Sequence, residues 1–205
     1  SWKTFLDKLE KTTGSKKASL LMHTDPMDVE GPNLFAMVEM LGIVDNVVFS
    51  NRRVGFEHVN AFHNIADFTI NVSYAEGFGL STLEAMMTKT PIIAPLTGGQ
   101  TRQVIDHRDG TENGFALPIE LRTLVGSQNV PYIFEDYTSV KTIADKICKM
   151  YELGPSGRAK LGQKAYEYAI SEFGYQKTID LWHHSMLKTI STWKTKHKYY
   201  TVKEI

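Results

Sequence analysis

Two glutamates, Glu76 and Glu84, bracket the run Gly77-Phe78-Gly79-Leu80-Ser81-Thr82-Leu83, so that carboxylates stand on either side of a glycine-rich turn. Residues 68–72 before the turn (FTINV) are short and β-branched, as a buried strand requires. The residues after it read as a helix. Gly77 and Gly79 let the backbone turn tightly and bring its N–H groups close to a ligand. Those groups open a helix, where unpaired donors and the positive end of the dipole favour phosphate. Glu84, on the same helix, can hold a hydroxylated group beside that phosphate. A phosphate next to a sugar ring is the chemistry of a nucleotide. Residues 81–84 (STLE) also spell a capping box in which Glu84 would reach back to the Ser81 N–H, and both readings stay open at this level.

The elements that would position this turn alternate along the chain. Apolar residues at helical spacing over 2–9 are closed by Gly14 and Ser15, and 18–23 reads as a strand. A second helix over 33–41 ends at Gly42, followed by a strand at 47–49, a helix over 57–64 and the strand leading into the turn. Strands are expected again at 92–94 and 114–117. Residues 118–134 break the rhythm, with 126–129 and Pro131 marking turns, and read as an excursion from the domain. Helices resume from Ser139 and Ser156, punctuated by Gly157, Gly162 and Gly174, and a last one over 176–193 places Ile179, Trp182, Met186 and Ile190 on one face. This alternation predicts an α/β fold, a Rossmann-like doubly wound parallel sheet covered on both faces. Ligands of such sheets bind at the carboxyl ends of the strands, which is where Glu76 falls.

The spelling EGFGLSTLEAM over 76–86 resembles the nucleotide-sugar signature of retaining glycosyltransferases with the GT-B fold, of the group 1 or family 4 type. The similarity extends to residues 45–49, 61–67, 91–95 with Gly98-Gly99, and 112–118. It covers roughly residues 1–180, expected as one nucleotide-sugar-binding domain, with 181–205 as a closing helix and tail. That tail would pack on the domain or towards an N-terminal domain outside this chain. The resemblance implies the donor-binding, C-terminal half of an enzyme that moves a sugar from a UDP- or GDP-linked donor to a glycan, protein or lipid-linked acceptor. It implies Glu76 beside the reacting sugar as the catalytic position. It also implies Gly77, Phe78, Gly79, Leu80, Ser81 and Glu84 as donor contacts, and Arg53 with Val54 as a base-contacting loop, a solvated loop being the plain alternative. No metal and no cofactor beyond the donor itself is implied. The family's phosphate-clamping Arg and Lys precede the helix that here begins at Trp2, so they are expected upstream of Ser1, and the isolated chain is expected to be inactive. A non-catalytic nucleotide-sugar-binding module and a GT-B-fold epimerase are the alternatives.

Two departures from the family pattern stand out. Lys89 occupies the position after the signature helix where glycine is usual, and glycine there takes a left-handed cap at little cost. Gly98-Gly99 is followed by Thr101-Arg102 rather than Pro-Glu, so the pair reads either as a second ligand loop or as a plain turn.

Charge excludes other classes. Lys plus Arg and Asp plus Glu are equal at 23 each, so no global field draws the chain to nucleic acid. One cysteine, Cys148, rules out an internal disulfide and reads as a buried helix thiol. The seven histidines show no metal-ligand spacing. With no signal-like or membrane-spanning segment, a cytoplasmic protein is expected, and the start at Ser1 reads as a processed or excised fragment. The basic, aromatic stretch 193–200 reads as a solvated helix end, with peripheral membrane contact as its alternative.

Overall fold

A computed structural model describes residues 1–196. Residues 197–200 of the basic tail, and 201–205 after them, lie outside the described residues. In chain order the elements are α1 (Trp2–Thr13), β1 (Leu20–His23), α2 (Leu34–Met40), a 3-10 turn at Val44–Asn46, β2 (Val47–Ser50), α3 (Phe56–Ile65) and β3 (Thr69–Ile70). Then come α4 (Leu80–Met87), β4 (Ile92–Pro95), α5 (Gln100–Val104), β5 (Phe115–Leu117), β6 (Leu121–Val125), β7 (Ile133–Tyr137), α6 (Val140–Glu152), α7 (Gly154–Phe173) and α8 (Tyr175–Lys196).

The parallel strands form two pieces among the described residues: β1 with β2, and β3-β4-β5 with β4 central. One continuous sheet was the expectation. It stops at β3 because that strand is only two residues long. The Asn71 side chain accepts the Ser73 N–H at 2.8 Å and bends the chain into the glycine turn before the ladder can extend. β4 is buried throughout, which is why its sequence is a run of apolar residues rather than an alternation. Its Ile93, with Leu117 of β5, faces a core built from Phe5, Leu6 and Leu9 of α1 and Ile143, Ile147 and Met150 of α6. Ile92 and Ala94 face the opposite core of Ala85, Met86, Val104, Ala165 and Ala169 from α4, α5 and α7. Each fully buried Ile or Leu contributes about 1.5–3 kcal/mol, so this sandwich fixes β4 and the loops at its carboxyl end.

Gly157 and Gly162 lie inside α7 rather than interrupting it. Gly162 lets α7 press onto α4's end: a Cβ there would fall on the Lys89 carbonyl oxygen. The excursion after β5 is an antiparallel hairpin, β6 with β7. The apolar residues of α8 lie on its exposed surface, Ile190 at 71% and Trp182 at 63% exposure. No described helix is long and apolar enough to cross a membrane. Cys148 on α6 is half-buried, and burial pushes its thiol pKa up.

Candidate functional site

The turn between β3 and α4 is built by its two glycines in different ways. Gly79 is left-handed at φ 90°, and a Cβ on it would meet the Gln100 side chain at 2.7 Å. Gly77 has open space where a Cβ would point, so an incoming group can approach its backbone. Gly79 serves as the N-cap of α4 and supplies no side-chain cap. The first N–H groups of α4, on Leu80 and Ser81, are therefore geometrically available to an anion. Leu80 is 68% exposed and Ser81 is exposed, so this helix end opens to solvent. Glu76 folds over the turn, its Oε1 accepting the Gly79 N–H at 3.1 Å.

A second loop locks onto the first. Gly99 N–H donates to the Glu76 carbonyl at 3.3 Å, and a Cβ on Gly99 would meet the Gly77 carbonyl oxygen at 2.5 Å. These contacts join the Gly98-Gly99 loop to the signature turn. Beneath lies a layer of buried amides that the sequence reading missed. Gln103 Nε2 donates to the Phe78 carbonyl at 2.6 Å, Gln100 Nε2 to Thr82 Oγ1 at 3.1 Å, and Asn113 Nδ2 to the Gln103 carbonyl at 3.1 Å. The side-chain oxygens of these three amides have no hydrogen-bond donor among the described residues. Gln100 and Gln103 sit on α5, a helix the sequence reading left out, and their spacing after Gly98-Gly99 was the available signal.

The hairpin also reaches the site. Asp136, 5% exposed, accepts from Thr97 Oγ1 at 2.7 Å and is gripped by Arg122 through Nε and Nη2, one edge of its guanidinium. Its N–H donates to the Tyr74 carbonyl at 2.8 Å, and the Tyr74 and Tyr137 rings stack at 4.3 Å. Arg122, and then Thr97 against the opposing cost of burial, hold the Asp136 carboxyl below its ordinary pKa. One residue thus ties the excursion to the loop after β3 through its backbone N–H and to the loop after β4 through its carboxylate.

The remaining sequence-predicted residues divide. Glu84 makes no capping box: its polar neighbour is His63 of α3, with Nε2 at 3.6 Å from Oε2, and its side chain is 45% exposed. Phe78 packs edge-on against Phe173 of α7 at 5.6 Å, so its ring anchors the turn. Arg53 is exposed and Val54 half-buried in the loop between β2 and α3. No hydrogen bond or ion pair joins that loop to the glycine turn among the described residues. Lys89 takes the left-handed cap, φ 61°, and the Thr90 N–H closes on the Ala85 carbonyl at 2.9 Å in the pattern of a Schellman motif. Among the described residues no three His, Cys, Asp or Glu side chains cluster as a metal site.

A parallel α/β domain with an uncapped helix end at the carboxyl edge of its strands has the architecture in which ligands bind beyond the strand ends. Comparison with known proteins is more specific. Residues 30–120 match the model of the family Glycosyl transferases group 1. The C-terminal domain of a glycosyl transferase group 1 family protein (LpcC) from Francisella tularensis superposes with a TM-score of 0.59 at 18% identity, over 85% of this chain and 79% of that one. HepE from Anabaena, solved with UDP and glucose, superposes with a TM-score of 0.58 at 16% identity, over 91% of this chain and 52% of that one. D-inositol 3-phosphate glycosyltransferase 2 from Catenulispora acidiphila is 32% identical over 109 residues, 53% of this chain and 25% of that protein. The chain thus spans about a quarter of that curated relative's length. Residues 30–120 thus resemble the glycosyl transferase group 1 family, and the chain has the fold of a GT-B C-terminal domain.

Proposed function

We propose that this chain is the donor-binding domain of a retaining glycosyltransferase, which takes a sugar from a UDP- or GDP-linked donor and passes it to a glycan, protein or lipid-linked acceptor. The observation that carries this reading is the uncapped start of α4, with Gly77 open beside it and Glu76 and Glu84 flanking it. The family match over the same residues and a fold neighbour solved with UDP and glucose support it. The reaction breaks the bond between the sugar's anomeric carbon and the diphosphate, so negative charge grows on the leaving phosphate. The backbone N–H groups of Gly77, Leu80 and Ser81 would meet that charge as fixed dipoles that need no reorganisation. Glu76, already bonded to the Gly79 N–H, would orient the sugar and the diphosphate. Glu84 would accept the ribose hydroxyls. No divalent cation is called for, and a chelator is expected to leave binding unchanged. Acceptor and donor must be held in attack geometry together, which in this reading takes a second domain beyond the present residues.

The test is titration of the 205-residue chain with UDP, GDP and ADP by calorimetry, followed by transfer assays alone and within a two-domain protein. Weak nucleoside diphosphate binding without transfer by the chain alone is expected. Transfer by the chain alone would remove the two-domain reading, and absence of nucleotide binding would remove the donor-site reading.

A further inference from the structure

His63 is held from several sides and turned towards Glu84. It lies near the end of α3 with its side chain 12% exposed, and its Nε2 faces Glu84 Oε2 at 3.6 Å. On the opposite edge of the ring, Nδ1 is 3.4 Å from Thr69 Oγ1 of β3. The His63 carbonyl accepts Thr90 Oγ1 at 2.8 Å, and Thr90 is itself buried behind the cap of α4. Backbone and ring are therefore both fixed by the scaffold, while Glu84 projects to solvent at 45% exposure.

The partners select the tautomer. A carboxylate only accepts hydrogen bonds, whereas a threonine hydroxyl donates or accepts. With the proton on Nε2, that N–H faces Glu84 and Nδ1 accepts from Thr69. The other tautomer would aim a lone pair at a carboxylate oxygen. At 3.6 Å the contact is longer than a hydrogen bond, so it steers the carboxylate electrostatically without trapping it.

We propose that His63 is a positioning residue for Glu84, biasing one carboxylate oxygen towards the protein so that the other is presented to the vicinal hydroxyls of a ribose. The inference rests on the nucleotide-donor reading of the site and adds to it a determinant of sugar recognition on a neighbouring helix. A glutamate has three side-chain torsions to order when it captures a diol. Ordering them beforehand lowers the entropic cost of binding.

The experiment compares a nucleoside diphosphate with its 2′,3′-dideoxy analogue, by calorimetry on the whole chain, using whichever of UDP, GDP and ADP binds most tightly. Wild type is expected to prefer the ribose form. His63→Phe keeps a ring of similar shape without nitrogen, and is expected to weaken the ribose form about fivefold while leaving the dideoxy form within about twofold. His63→Gln, with an N–H near the position of Nε2, is expected to recover most of that loss. Equal weakening of both ligands, or no weakening, overturns the positioning role. Wild type that binds both forms equally overturns the ribose role of Glu84, and this inference with it; that result is read before any variant is made. Should His63→Phe fail to fold, Thr69→Val frees the ring while leaving His63 in place. A ribose preference unchanged in Thr69→Val overturns the proposal, and a reduced one supports it.

Discussion

Gly98 stands backbone to backbone with Glu76: its α-carbon hydrogens occupy the space where a Cβ would fall onto the Glu76 carbonyl oxygen, and its φ of 49° is left-handed. Both features demand glycine. Gly98→Ala must distort the loop or push Glu76 aside, which costs about 2–4 kcal/mol from overpacking and backbone strain together. Since Glu76 is the residue displaced, nucleoside diphosphate binding should weaken along with stability. Chemical denaturation and calorimetry on the same sample check this, and an alanine variant with the wild-type midpoint would show that the two loops are not pressed together.

Lys89 gives a stability prediction with two opposing parts. Its left-handed backbone costs about 1 kcal/mol relative to glycine, while its ammonium lies 4.9 Å from the centre of the Tyr166 ring and recovers about 0.5–1 kcal/mol. Lys89→Gly in wild type should therefore be close to neutral. In a Tyr166→Leu background, where the ring is gone, the same change should stabilise by about 0.5–1 kcal/mol. Thermal or denaturant midpoints in both backgrounds test it, and a glycine variant less stable in both would refute the strain argument.

These two positions show what the sequence did and did not disclose. Lys89 was legible because the cap geometry is local: a helix end and the residue after it decide the conformation. The Gly98–Glu76 contact joins loops after different strands, and nothing in the spacing tells a glycine that faces solvent from one that faces another backbone. The strand-helix alternation that fixed the parallel fold was legible for the same local reason, with helix signals at Gly14, Gly42 and Ser139 all realised as ends or caps. The hairpin was read only as an excursion, because its partner contacts, Asp136 with Thr97 and with Tyr74, depend on a register set after folding. Arg53 and Val54 come only from likeness to the family, since a base-contacting loop has no local spacing signal of its own.

Asp136 should behave as a latch. Asp136→Ala removes the Thr97 bond and both guanidinium contacts, and is expected to cost about 1.5–3 kcal/mol. Arg122→Ala leaves the buried carboxylate with the Thr97 bond alone, so it should cost at least as much. The loss should be local: amide exchange in β6 and β7 should accelerate more than in β4, whose strand is buried on both faces. Uniform acceleration across the chain would argue that Asp136 supports the whole fold rather than tying down the hairpin.

Asp106 predicts the acid limb of stability. Arg108 holds its carboxyl at a pKa of about 2, well below the ordinary aspartate value. A group whose folded pKa is depressed contributes stability that is complete above the unfolded pKa, near 3.9, and is lost as pH falls through the folded one. The stability advantage of wild type over Asp106→Asn should therefore be constant above about pH 5 and shrink between about pH 4 and 2. Denaturant unfolding at a series of pH values measures that difference, and parallel curves throughout this window would rule out Asp106 as the titrating group.

Glu84→Gln separates the ligand role of this residue from a structural one. Because the N-cap of α4 is Gly79, which has no capping side chain, and Glu84 makes no bond to Ser81, the substitution removes no helix cap, and stability should stay within about 0.5 kcal/mol of wild type. Binding should respond differently. A carboxylate accepts from two ribose hydroxyls through charge-assisted bonds, whereas the glutamine amide is neutral and has only one accepting oxygen. Nucleoside diphosphate affinity should fall by about tenfold or more. The dideoxy analogue, lacking both hydroxyls, should lose little. A variant with wild-type affinity for both ligands and a lowered unfolding midpoint would return Glu84 to the scaffold and leave the start of α4 without its diol clamp.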